Sequence, residues 1–159
     1  MKMNLSMEEI IKELFENPFW QVDLTKAPDT GKLSEFFRKH PFPDDFQTLF
    51  YHSDGFVLFE AGDYRISDLD WILTCKYDPK YKIDFRKEFW DIGYIMGYSL
   101  VIDETKSNTN KYLYVGDSCF FDEYVMLGTM TDFFNGFIAS KGEIPFWKTE
   151  GVKKYNLGV

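Results

Sequence analysis

The sequence predicts an α+β fold, with helices laid against a mainly antiparallel sheet in a single domain. Three observations predict it. Apolar residues recur at helical spacing before Gly55. From Gly55 to about Leu127, short runs rich in Tyr, Val and Ile alternate with turn residues. Helical spacing then returns at Thr131.

Taken in order, Ser6 and Glu9 have the form of a capping box ahead of Ile10, Ile11, Leu14 and Phe15. The spacing predicts a helix over 6–16, stopped at Asn17 because Pro18 disfavours helical geometry in the residue before it. A second helix is expected from Lys32 to Lys39, carrying Leu33, Phe36 and Phe37. Pro41-Phe42-Pro43 then gives a rigid entry to a third, whose first-turn acids Asp44 and Asp45 suit the helix dipole. Its buried stripe is Phe46, Leu49 and Phe50, and Ser53-Asp54-Gly55 ends it in a turn.

Phe56–Glu60 and Gly62–Ile66 read as a hairpin joined by Ala-Gly. Leu69 to Leu73, with Trp71, matches neither period well enough to assign. Asp91 to Asp103 reads as one long strand bent at its glycines or as two strands. Lys111–Val115 and Glu123–Leu127 are further strands, with a polar loop over 103–110 and a turn at Gly116-Asp117. A closing helix over 131–140, capped from Met130-Thr131-Asp132, turns Phe133, Phe134, Phe137 and Ile138 inward. The residues after Trp147 are expected to form a loose tail.

Composition limits what such a domain can do. The 159 residues suffice for one core, and 17 Phe, 10 Tyr and 4 Trp supply it amply. The N-terminus, Met-Lys-Met-Asn-Leu-Ser-Met-Glu-Glu, lacks the apolar run of a signal peptide, and no stretch is apolar enough to span a membrane. Cys75 and Cys119 sit among apolar neighbours and are expected to be reduced core thiols, which places the chain in the cytoplasm. Against 18 basic residues stand 26 acidic ones, a net charge of −8 that disfavours nucleic acid and favours basic partners. Between Asp44 and Asp70 seven acids face the single base Arg65, so this stretch holds six of the eight excess charges. Such a run is either a solvated face or a docking surface that speeds encounter with a basic partner.

Motifs for chemistry are sparse. His40 and His52 have no cysteine pair near them, so no metal is expected, and no cofactor motif is present. Neither cysteine has a histidine partner in its sequence context, no Gly-x-Ser-x-Gly elbow exists, and Gly93 to Gly97 lacks the Lys-Ser/Thr of a phosphate loop. Paired carboxylates need no local motif and leave a hydrolase as one alternative.

The stretch from His40 to Gly55 resembles the signature of the SUKH superfamily. Phe42-Pro43 stands for its Leu-Pro, Phe46 for its aromatic, Leu49 and Phe50 for its helix stripe, and Asp54-Gly55-Phe56 for its Asn-Gly-Gly. Phe89–Asp103 resembles the family's central strand region and Thr129–Ile138 its closing helix, so the likeness covers about residues 30–140. Phe56 replaces the second glycine, and the stretch from Ile72 to Lys87 has no counterpart. The resemblance implies helices around a curved antiparallel sheet and a non-catalytic, protein-binding role. In bacteria it implies an immunity protein that neutralises a cognate toxin, often a nuclease; in fungi, a cell-wall regulator. A regulatory module with a small-molecule pocket formed by the sheet is a second alternative.

The expected partner is therefore a basic toxin domain, with no nucleic acid and no membrane, bound by a monomer or weak homodimer. Its contacts are placed on Asp54, Glu60, Asp63, Asp68, Asp70 and Trp71. Trp90 and Tyr94 are further aromatic candidates, each more readily explained as core.

Overall fold

The computed structural model describes residues 3–159; Met1 and Lys2, which open the N-terminal stretch read above, lie outside the described residues. Helix α1 (Met7–Glu16) starts on the reciprocal Ser6–Glu9 capping box and buries Met7, Ile10, Ile11 and Leu14. A short 3₁₀ turn, Pro18–Trp20, leads to β1 (Asp23–Leu24). Helix α2 (Thr30–Lys39) begins two residues earlier than expected, because the Asp29 carboxylate accepts from the amides of Gly31 and Lys32. Helix α3 (Asp44–His52) follows, with Phe46, Leu49 and Phe50 buried.

The predicted hairpin is present but short, as β2 (Phe56–Val57) and β3 (Tyr64–Ile66). The unassigned stretch is helix α4 (Leu69–Tyr77), capped by Asp68. Asp91–Asp103 resolves into two strands, β4 (Phe89–Ile95) and β5 (Tyr98–Asp103). Both residues between them, Met96 and Gly97, have positive φ, the geometry that matches a tight hairpin to the twist of its strands. Strand β6 (Leu113–Asp117) includes the expected Gly116-Asp117 turn, which is a correction. Gly116 pairs with Ser99, and a Cβ there would lie 2.7 Å from the Tyr124 ring, so glycine admits that ring. Strand β7 (Val125–Gly128) precedes α5 (Met130–Ala139), whose capping box is Thr129 with Asp132.

The strands form one open antiparallel sheet in the order β1 to β7, every neighbour in space also the neighbour in sequence. Its first face carries Trp90, Ile92, Leu100, Ile102, Leu113 and Val115 into a core shared with α1, α3 and α5. Asp45, in the first turn of α3, ties this layer together. It accepts from the Tyr112 hydroxyl and from the Thr131 amide and hydroxyl, while the Tyr112 oxygen accepts from the Met130 amide.

The second face is also covered. Phe89, Val101, Tyr114 and Tyr124 pack with Phe85 and Leu157 in a separate apolar cluster. The residues after Trp147 are therefore not a loose tail. Tyr155 pairs with Tyr124, Gly158 bridges Phe85, and Leu157 is buried while its amide donates to Phe121. Neither cysteine is a core residue: both are free thiols, Cys75 half-buried and Cys119 exposed. Leu157→Ala should cost about 2–4 kcal/mol, because it leaves a cavity in a closed cluster. Urea unfolding measures it, and a stability unchanged from wild type would mean that the second face does not rely on this segment.

Candidate functional site

Helix α4 has a concavity at each end. At its N-terminus two carboxylates secure the orphan amides: Asp68 Oδ1 accepts from Trp71 (2.7 Å) and Asp54 Oδ1 from Leu69 (3.0 Å). Asp54 reaches the helix because the α3–β2 turn is pressed onto the β3–α4 corner. Gly55 there has φ +70°, and a Cβ on it would lie 2.5 Å from the Ile66 carbonyl.

These residues wall a cleft of about 360 Å³, with Asp23, Thr25, Val57 and Arg65 on its other sides and the Trp71 ring at its mouth. Strand register explains the company. Asp23 pairs with Val57 and Val57 with Arg65, so all three project from the sheet's second face. Arg65 continues the row to Tyr94, 5.5 Å from that ring, and its buried Nε has no hydrogen-bond partner among the described residues. Three carboxylates against one guanidinium leave the cleft anionic. Each capping carboxylate uses its Oδ1 on the helix, and among the described residues no hydrogen bond engages its Oδ2.

Of the six residues singled out from sequence, the cleft gathers Asp54, Asp68 and Trp71. Asp70 points elsewhere, 3.7 Å from Lys32 Nζ in an exposed pair of little energetic weight. Glu60 and Asp63 belong to the turn between β2 and β3 and do not line the cleft. Trp71 is 38% exposed, whereas Trp90 is 1% exposed and belongs to the core. Asp23, Thr25 and Arg65 were not singled out. Asp23 lies outside the acid-rich stretch in sequence and joins it only through strand pairing.

At the other end of α4 lies a cavity of about 310 Å³, more enclosed than the cleft. Asp91 reaches it because it alternates with Phe89 and pairs with Val101 on the second face; the bulge between Asp91 and Gly93 then breaks the alternation of β4 and puts Tyr94 on that face too. Burial pushes the Asp91 carboxyl up to about 7, against the lowering influence of the Gly93 amide, Arg65 and Ser99. Burial, then the nearby Asp91, pushes the Cys75 thiol up to about 11. The Tyr124 hydroxyl, buried and without a hydrogen-bond partner among the described residues, is likewise driven upward by burial and by Asp91. Lys76 Nζ donates to the Lys87 and Phe89 carbonyls (2.6 Å each) and sits 4.8 Å from the Trp90 ring; burial lowers its proton affinity.

Asp91 binds its proton more tightly in the fold than in the unfolded chain, whose carboxyl titrates near 3.8. Its contribution to stability is therefore full at low pH and falls as pH rises from about 4 to about 7, by at most about 1.4 kcal/mol per unit. Asp91→Asn should remove that fall and leave the variant more stable than wild type above pH 7. Paired urea titrations at low and high pH check it; parallel pH profiles in the two proteins would show that Asp91 ionises freely in the fold.

Among the described residues no group of His, Cys, Asp and Glu is arranged to hold a metal ion, and no helix is long and apolar enough to cross a membrane. No protein-family model matches the chain, and no curated protein matches it.

Proposed function

We propose that this protein is a non-catalytic binding domain whose cleft beside Trp71 docks a basic protein, in the manner of a SUKH-type immunity protein holding a toxin domain. The observation that carries the reading is the placement of Asp23, Asp54 and Asp68 around one aromatic-walled cleft in a chain of net charge −8. Two of those carboxylates are held in place as helix caps, so little conformational freedom is lost when they meet a cation. A half-exposed Trp beside fixed charges is the residue type in which interface energy concentrates. A nuclease must present cations to phosphate, and an acidic surface can occupy that same patch.

Binding is also favoured over hydrolysis by where the acids lie. A glycosidase-type pair needs a protonated carboxyl facing an ionised one across the substrate. Here Asp91, whose proton affinity is raised, lines one cavity, and the clustered carboxylates Asp23, Asp54 and Asp68 line the other.

Affinity purification from the native host, with the captured protein identified and then remade pure, supplies the partner for a quantitative test. Asp54→Asn with Asp68→Asn keeps the capping oxygens and removes two charges. It should slow association at least about tenfold at low salt and flatten its salt dependence, with little change in melting temperature. Asp68→Ala, by contrast, should cost about 1 kcal/mol of stability through the lost cap. If the double Asn variant associates with the purified partner as fast as wild type, the cleft is not the docking surface.

A further inference from the structure

The stretch from Ile72 to Lys87, which has no counterpart in the resembling family, does not share the chain's acidity. Between Lys76 and Lys87 stand five basic residues and two acidic ones, a local excess of three positive charges in a chain of net −8. The fold wraps this stretch around the cavity behind α4. Lys76 fastens its far end by donating to the Lys87 and Phe89 carbonyls, so the chain from Tyr77 to Glu88 forms a closed loop on the sheet's second face. Phe85 and Phe89 are buried in the cavity wall, Asp91 and Cys75 also line it, and the exposed Lys82 and Lys87 stand at its rim. Neither rim lysine has an ion-pair partner among the described residues.

A partly enclosed space with an aromatic wall, several polar groups and unpaired charge at its mouth has the make-up of a small-molecule site, and about 310 Å³ is at the small end of such sites. The sign of the rim selects an anion, and the aromatic wall selects an apolar body. Beside such an anion a buried carboxyl is easier to accommodate in its protonated form, and Asp91 is the carboxyl whose burial favours that form. The groups that face Asp91 are Arg65 from β3, Ser99 from β5, Cys75 from α4 and Tyr124 ahead of β7.

We propose that the cavity at the C-terminal end of α4 binds a small organic anion with an apolar body, its charge held by Lys82 and Lys87 and its body laid against Phe85 and Phe89. The site is separate from the acidic cleft, at the opposite end of the helix, and does not depend on the docking reading.

Calorimetric titration of the full chain with octanoate, and with octylammonium as its cationic counterpart, tests the proposal. Octanoate should bind saturably, with amide NMR shifts confined to residues 75–91, and octylammonium should not saturate. Lys82→Gln with Lys87→Gln alters two exposed, unpaired side chains. It should leave the melting temperature unchanged and weaken octanoate about tenfold, the effect of two surface charges on a bound anion. Octanoate should also bind several-fold more tightly at about pH 6 than at about pH 8, and Asp91→Asn should abolish the difference. The proposal is overturned if neither ligand saturates, if both bind equally, or if the double lysine variant binds octanoate as wild type does. A pH dependence that survives in Asp91→Asn would place the anion elsewhere.

Discussion

The paired strands β5 and β6 are apolar on both faces, and the rest of the architecture answers to that constraint. In β5, Leu100 and Ile102 face one way and Val101 the other, and all three are buried. In β6, Leu113 and Val115 oppose Tyr114 in the same way. A sheet with one wet face needs a single covering layer; one with two dry faces needs two. Helices α1, α3 and α5 cover the first. On the second, the chain around Phe85 and the C-terminal strand-like segment close over Phe89, Val101, Tyr114 and Tyr124. Cover is incomplete where α4 meets the sheet, and both concavities open there.

Helix α4 is electrostatically polarised along its length. Asp68 and Asp70 stand at its start, Lys76 in its last turn, each at the end where the helix dipole favours it. The loops that meet the two ends continue the same signs, Asp54 at the first and Lys82 and Lys87 at the second. One nine-residue helix thus separates an anionic cleft from a cationic cavity. Arg65 and Asp91, of opposite sign to the concavity that each lines, lie between the two on the sheet. They form no ion pair, yet the Arg65 charge acts on Asp91 and lowers its proton affinity against the effect of burial. Charge is therefore sorted in space more sharply than along the chain.

How much of this the sequence disclosed follows from what each element depends on. Local chemistry set α1 and α5: a capping box and an i, i+3, i+4 stripe are readable without tertiary information, and both helices fall within a residue or so of expectation. Helix α4 was unreadable because only Leu69 and Ile72 are buried on it. Trp71 is half-exposed, and although Asp68 caps the helix locally, the carboxylate that takes the Leu69 amide is that of Asp54, fifteen residues away. Gly116 looked like a turn because glycine usually is one, whereas here it makes room for an aromatic ring from outside the strand. The tail resisted for a related reason. Its contacts, Tyr155 with Tyr124 and Gly158 with Phe85, are long-range pairings, and Leu157 is the one apolar side chain it buries fully.

The acid-rich stretch shows why a site is harder to read than a fold. Sequence proximity grouped Asp54, Glu60, Asp63, Asp68 and Asp70, but a hairpin reverses the chain within that group. Its turn carries Glu60 and Asp63 away from the cleft, while strand pairing brings in Asp23 from thirty-one residues before Asp54. Core positions repeat a period that the backbone imposes; surface positions obey no period, and their grouping is decided by register. The residues kept together were those with a second, structural task. Asp54 and Asp68 must stay at the α4 N-terminus to cap it, and holding them there also sets two carboxylates in the wall of one cleft. The same bonds that stabilise the helix therefore preorganise the cleft. A recognition surface that needs fixed charge is cheapest to build where the fold already requires that charge for a cap.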